Sequence, residues 1–240
     1  MALEAHATGA DALPQASAPQ ALPSPAPGID VWVFGLAPAP AALAGLAVVL
    51  APGEHARAAR FGSAALRDRY IAGRGTLRQL LGARLAMAPE DVDIRRGPRG
   101  RPCIDVAGLD FNVSHTGGFA LIGMASAGRI GVDVEHEDRM LNVAGVSRKF
   151  MAPSEQALLD TYEPDARRRT LLRLWTCKEA MSKATGDALS APFRRIAIAL
   201  DGDDARVDAG PLPYTPDRWT LHAIRAPGGH LASIALWPGD

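Results

Sequence analysis

Cysteine is nearly absent: the 240 residues contain only Cys103 and Cys177, far apart and without ligand spacing. That excludes a disulfide scaffold, gives no support to a zinc site, and fits a reducing, cytoplasmic setting. Lysine is scarce too. Of 26 basic residues only Lys149, Lys178 and Lys183 are lysine, and two of these lie within six residues of each other. Arginine holds its charge and does not readily release a proton, whereas lysine does. A lysine kept in an arginine-biased chain hints at proton chemistry or at a point-charge contact with phosphate. Net charge is zero, so no global field draws the chain to nucleic acid or membrane. Long apolar runs are lacking as well. The uncharged segment 31–53 is cut by Pro38, Pro40 and Pro52 and padded with Ala and Gly, so no membrane span is expected. No signal peptide is expected either, because there is no basic start and Glu4, His6, Asp11 and scattered prolines break any apolar run.

What is present suffices for a core: 48% of residues are hydrophobic. The length suggests one large domain or two small ones. Residues 1–28, rich in Ala and Pro without periodicity, are expected to be a disordered tail. Val31-Trp32-Val33-Phe34 reads as a first strand, followed by a proline turn and a short Ala/Leu helix. Residues 54–86 look helical, with Arg57 and Arg60 on one face and Tyr70, Leu77, Leu80, Leu81 and Leu85 in a helical pattern. Gly73 and Gly75 weaken that pattern. Arg69, Arg74 and Arg78 form a basic face that is solvated by default. Between Arg95 and Arg101, four arginines share a Gly/Pro loop. The loop is a nucleic-acid contact or an anion cradle, and neutrality without interleaved aromatics argues against the former.

Two stretches carry chemistry. Phe111-Asn112-Val113-Ser114-His115-Thr116-Gly117-Gly118 is a strand entering a glycine turn. Ser114 and His115 are adjacent, so their side chains diverge and do not form a nucleophile–base pair. They suit a phosphate contact at the turn, or merely a capped tight turn. Phe119–Ala125 returns as a strand, and the turn at Ala127-Gly128-Arg129 leads to Ile130-Gly131-Val132-Asp133-Val134-Glu135. This reads as a hairpin whose second arm carries two acids on one face. Paired acids there repel and lose hydration. They are a hard-metal site, or two solvated acids on an edge strand.

Further on, His136–Arg139 reads as a loop in which Glu137 and Asp138 are solvated rather than further ligands, Pro153 and Ser154 suit a helix start, and a helix spans about 165–185. On it Leu171, Trp175, Glu179 and Lys183 line one ridge. The ridge starts apolar and ends charged. Glu179 and Lys183 are either a surface salt bridge or an inward acid–base pair with shifted proton affinities. Residues 195–200, 219–224 and 230–236 read as strands of one antiparallel sheet.

Four segments together, Gly100-Arg101-Pro102-Cys103-Ile104, Phe111–His115, Ile130–Glu135 and Trp175–Lys183, resemble the Sfp-type 4′-phosphopantetheinyl transferases from about residue 30 onward. The resemblance implies an α/β (α+β) fold of two similar halves, 29–127 and 128–240. Each half would be an antiparallel sheet with packed helices, related by a pseudo-twofold, with the active site in the cleft between them. It implies transfer of phosphopantetheine from coenzyme A to a serine of an apo acyl or peptidyl carrier protein, releasing adenosine 3′,5′-bisphosphate, in polyketide or nonribosomal peptide synthesis. Mg²⁺, or Mn²⁺ in its place, would sit on Asp133, Glu135 and Glu179. Glu179 would also take the serine proton, directly or through a water, and Lys183 would stabilise or protonate the leaving phosphate. His55, Arg74, Arg101, Ser114, His115 and Lys178 match coenzyme A-binding positions. A monomer is expected, with no nucleic-acid or membrane partner. The alternatives are another Mg²⁺-dependent phosphoryl-transfer or pyrophosphate-hydrolysing enzyme, and a non-catalytic coenzyme A or carrier-binding module.

Overall fold

The computed structural model describes residues 18–97 and 99–239. In chain order the elements are β1 (Gln20–Leu22), β2 (Ile29–Gly35), α1 (Pro40–Val48), α2 (Pro52–Ala58), α3 (Ala64–Leu85), β3 (Arg95–Arg96), β4 (Pro102–Cys103), β5 (Asp110–Thr116), β6 (Phe119–Ala125) and β7 (Arg129–His136). There follow α4 (Val143–Phe150), α5 (Pro153–Leu159), α6 (Pro164–Thr185), β8 (Ala197–Asp201), β9 (Asp204–Ala209), β10 (Thr220–Ala226) and β11 (His230–Trp237).

The fold is α+β, in two halves that each combine an antiparallel sheet with helices. One sheet has the order β1-β2-β6-β5, the other β10-β11-β7. Strand alternation sorts the side chains into layers. Val31 and Val33 of β2 and Phe119 and Leu121 of β6 meet Ile130, Val132 and Val134 of β7, so one core lies between the sheets. On β6 the alternate residues Ala120, Ile122 and Met124 face a second core with Leu77 and Leu81 of α3. Leu171, Leu174 and Met181 of α6 belong to a third core with Ala235 and Trp237 of β11. Burial on both faces explains why β6 is apolar throughout.

Glycines set two close approaches. A Cβ on Gly75 would come within 2.6 Å of the Leu46 carbonyl oxygen, so α1 crosses α3 there. A Cβ on Gly131 would lie 1.8 Å from the Ala180 carbonyl oxygen, so the backbone of α6 rests directly on β7. Helix α6 begins with Pro164 and ends at Gly186, which is left-handed at φ 83°, the usual asymmetry of helix ends.

Three sequence expectations need correction. Residues 1–28 do not all lie outside the fold: Gln20–Leu22 pair antiparallel with Val31–Val33 and cover the outer edge of β2. The rest of that expectation, residues 1–17, lies outside the described residues. Strands β6 and β7 do not form a hairpin. Both edges of β6 are taken, by β2 and β5, and β7 pairs with β11 instead. Nor does β8 join the sheet of β10 and β11, since it pairs with β9 as a separate ribbon. Among the described residues no helix is long and apolar enough to cross a membrane.

The sheets meet where β5 runs alongside β7. Asp110, Asn112 and Ser114, at alternate positions of β5, accept the backbone N–H groups of Ile130, Val132 and Val134 at 2.8, 3.0 and 3.3 Å. Side chains thus supply these three N–H groups with the acceptors that a neighbouring strand would otherwise offer.

Candidate active site

Because Val132 and Val134 point into the core between the sheets, Asp133 and Glu135 share the opposite face of β7, beneath α6. The Gly131 contact brings the last turns of α6 against them. Together Ser114, His115, Asp133, Glu135, Arg139, Trp175, Glu179 and Lys183 line a cleft of about 440 Å³. The Lys183 ammonium donates to Asp133 Oδ1 at 2.7 Å and to Ser114 Oγ at 2.9 Å. Ser114 donates to the same Asp133 oxygen at 2.9 Å, so three elements converge on one atom. Thr116 donates to Glu135 Oε2 at 3.3 Å, and Arg139 pairs with Glu135 Oε1.

The electrostatics follow from crowding. Burial pushes the Glu179 carboxyl above the usual range, and the nearby charges of Asp133 and Glu135 push the same way against Lys183 and Arg139. Burial also raises Glu135, with Arg139 opposing it. A carboxylate whose proton affinity is raised is a better base.

The donor set fits a hard divalent cation. Asp133 Oδ2 is buried without a hydrogen-bond partner. The Glu179 carboxylate has no ion pair among the described residues, and every donor is a carboxylate oxygen, the type Mg²⁺ takes. Among the described residues, however, no three acidic, His or Cys side chains are already drawn into a cage. Lys183 and Arg139 hold Asp133 and Glu135 instead.

Of the residues singled out in the sequence, Ser114, His115, Asp133, Glu135, Glu179 and Lys183 come together. Four do not join them. Lys178 is wholly buried and pairs with Glu155 at 2.6 Å. Its ammonium also donates to the carbonyls of Phe150, Phe193 and Ile196. A phosphate contact is therefore corrected to an internal tie: neighbours on a helix face different ways, and Lys178 turns into the core while Glu179 faces the cleft. Arg101, 8% exposed, also points inward. Its guanidinium is held by Asp110 and by the carbonyls of Phe111, Ile130 and Lys183, which corrects its expected contact with coenzyme A. His55 is exposed on α2, and Arg74 of α3 pairs with Glu54 at 3.3 Å. Neither lines this cleft.

Arg139 also lines the cleft, a placement the sequence pattern does not single out. It follows Glu135 by four residues, but in a turn rather than a helix, so spacing gave no signal.

Comparison with known proteins bears on this arrangement. The family model described as the 4′-phosphopantetheinyl transferase superfamily matches residues 129–230. A second, described as the N-terminal part of 4′-phosphopantetheinyl transferases, matches residues 36–127. The 4′-phosphopantetheinyl transferase HetI of Nostoc sp. is 33% identical over 209 residues, covering 83% of this chain and 88% of its own. A putative 4′-phosphopantetheinyl transferase of Synechocystis sp. is 32% identical over 155 residues, covering 63% of each. A phosphopantetheinyl transferase of Thraustochytrium sp. is 25% identical over 236 residues, covering 88% of this chain and 80% of its own.

Proposed function

The chain belongs to the 4′-phosphopantetheinyl transferase superfamily and is an enzyme of phosphopantetheinyl transfer to carrier proteins, and on that premise we propose that the cleft under α6 is where the group passes from coenzyme A to a carrier serine. The observation that carries this reading is that Ser114, Asp133, Glu135, Glu179 and Lys183 line one cleft, with Lys183 2.7 Å from Asp133.

In the proposed reaction the serine hydroxyl oxygen forms a bond to the phosphorus that carries the pantetheine arm. The bridging P–O bond of the pyrophosphate breaks, and adenosine 3′,5′-bisphosphate leaves. Glu179 accepts the serine proton as general base. Lys183 places its ammonium against the departing phosphate, whose charge grows as the bond breaks. Ser114 fixes Lys183, and His115 offers its exposed ring to the pyrophosphate. Asp133, Glu135 and Glu179 would hold Mg²⁺, or Mn²⁺ in its place, and the ion would supply neutralisation of phosphate charge. His55 and Arg74 are assigned to the adenosine end of coenzyme A. The acceptors are polyketide or nonribosomal peptide carrier domains, modified in the cytoplasm by a monomer.

The test combines purified protein, Mg²⁺, coenzyme A and an apo carrier, with mass spectrometry of the carrier serine. Phosphopantetheine on the serine is the expected product. Glu179→Gln keeps coenzyme A affinity but loses turnover by about a hundredfold, the usual range for a general base. Full turnover in that variant rules the role out.

A further inference from the structure

Arg101 is the hub behind the cleft. Its guanidinium grips Asp110 with both terminal nitrogens, at 2.9 and 2.7 Å. One of these nitrogens also donates to the carbonyls of Phe111 and Ile130, at 3.0 and 2.6 Å. Its Nε donates to the carbonyl of Lys183 at 2.8 Å. Those partners belong to β5, β7 and the last turn of α6. The same three elements deliver Ser114, Asp133 and Lys183 to the cleft. The Lys183 carbonyl is one of the four that a helix leaves without an internal partner at its end. A cation there also opposes the negative pole of the helix.

We propose that Arg101 is a positioning residue of the transfer reaction. It fixes the end of α6 to β5 and β7, and so sets where Lys183 stands relative to Asp133 and Ser114, without touching coenzyme A. The inference rests on the reading of the cleft given above. Its bonding pattern uses the full fork of an arginine. Lysine reaches one or two acceptors as a point charge, whereas the planar fork reaches two carboxylate oxygens and carbonyls on three elements at once. Asp110 is part of the same device, because it holds the guanidinium and also accepts the N–H of Ile130.

The experiment compares the full-length wild type with Arg101→Lys and Asp110→Asn in steady-state transfer to one apo carrier, alongside coenzyme A affinity by calorimetry. Wild-type turnover must be present first, since its absence overturns the functional reading rather than this one. For positioning, kcat falls about tenfold or more in both variants, with KM and Kd for coenzyme A within about threefold of wild type. A contact with phosphate gives the opposite: KM for coenzyme A rises, kcat holds, Arg101→Lys restores binding and Asp110→Asn is innocuous. Folded variants with unchanged kcat also overturn the proposal. A measurement on the wild type covers variants that fail to fold. The Nε–H resonance of Arg101 should be protected from solvent exchange without ligand and unshifted at saturation with adenosine 3′,5′-bisphosphate. A large shift on saturation overturns the proposal.

Discussion

Replacing Gly131 by alanine tests the contact on which the cleft depends. The added Cβ would lie 1.8 Å from the Ala180 carbonyl oxygen and 2.7 Å from the Ala184 nitrogen. Both are helix backbone, so no side-chain rotation relieves the clash. An ordinary contact starts at 3.4 Å, so α6 must retreat from β7 by about 1.6 Å at this point. Overpacking of this kind costs about 1–3 kcal/mol. For a chain of this size that lowers Tm by roughly 2–12 °C. The effect on turnover should be larger, because Glu179 and Lys183 ride on the displaced turns while Asp133 stays on the strand. A misplacement of about 1 Å costs on the order of a hundredfold in rate. The assay pairs thermal unfolding by circular dichroism with the rate of carrier modification. Gly45→Ala serves as control, since a Cβ there meets nothing within 4 Å. A Gly131→Ala protein with wild-type Tm and rate would refute the claim that this contact sets the site.

Two further outcomes are expected. Lys178→Met leaves Glu155 buried and uncompensated, which costs about 3–5 kcal/mol. Adding Glu155→Gln should recover part of it in denaturant titrations, with coenzyme A affinity unchanged in the folded fraction; weakened affinity would restore the phosphate-contact reading. Burial holds His222 and His230 below the ordinary imidazole value of 6.5. The unfolded chain therefore binds protons first, and their contribution to stability, complete above that value, declines as pH falls through it. The Tm of a His222→Gln, His230→Gln double variant should fall less than that of the wild type between about pH 7.5 and pH 5. Parallel profiles would count against it.

The sequence disclosed features that depend on local periodicity. Asp133 and Glu135 share a face because strands alternate, and Glu179 and Lys183 share a ridge because a helix returns every four residues or so. Hidden features depended on what lies across the chain. The adjacency of β6 and β7 suggested a hairpin, but nothing local revealed that β6 already had two partners. Lys178 and Arg101 looked like free cations, since their acceptors lie in distant segments such as Glu155 and Asp110. The short helix α4 is faint in the sequence because glycine and β-branched valines dilute its pattern. Asn142, whose side chain caps the Gly145 N–H at 2.9 Å, was the available signal.

The seam between β5 and β7 constrains how relatives of this chain can diverge. Asp110, Asn112 and Ser114 serve alternate N–H groups of β7, so the seam works as a key cut to one length. Another acceptor of similar reach could keep one seam bond, although Asp110 also holds Arg101 and Ser114 also holds Lys183. Gaining or losing a single residue between Asp110 and Ser114 would swing the teeth to the other side of the strand and present Phe111 and Val113 to β7 instead. For the seam bonds alone, a change of residue is less disruptive than a change of length. Insertions and deletions are expected to collect in peripheral parts such as the β8–β9 ribbon, so a gap in an alignment placed inside β5 would more readily signal a misalignment than a variant.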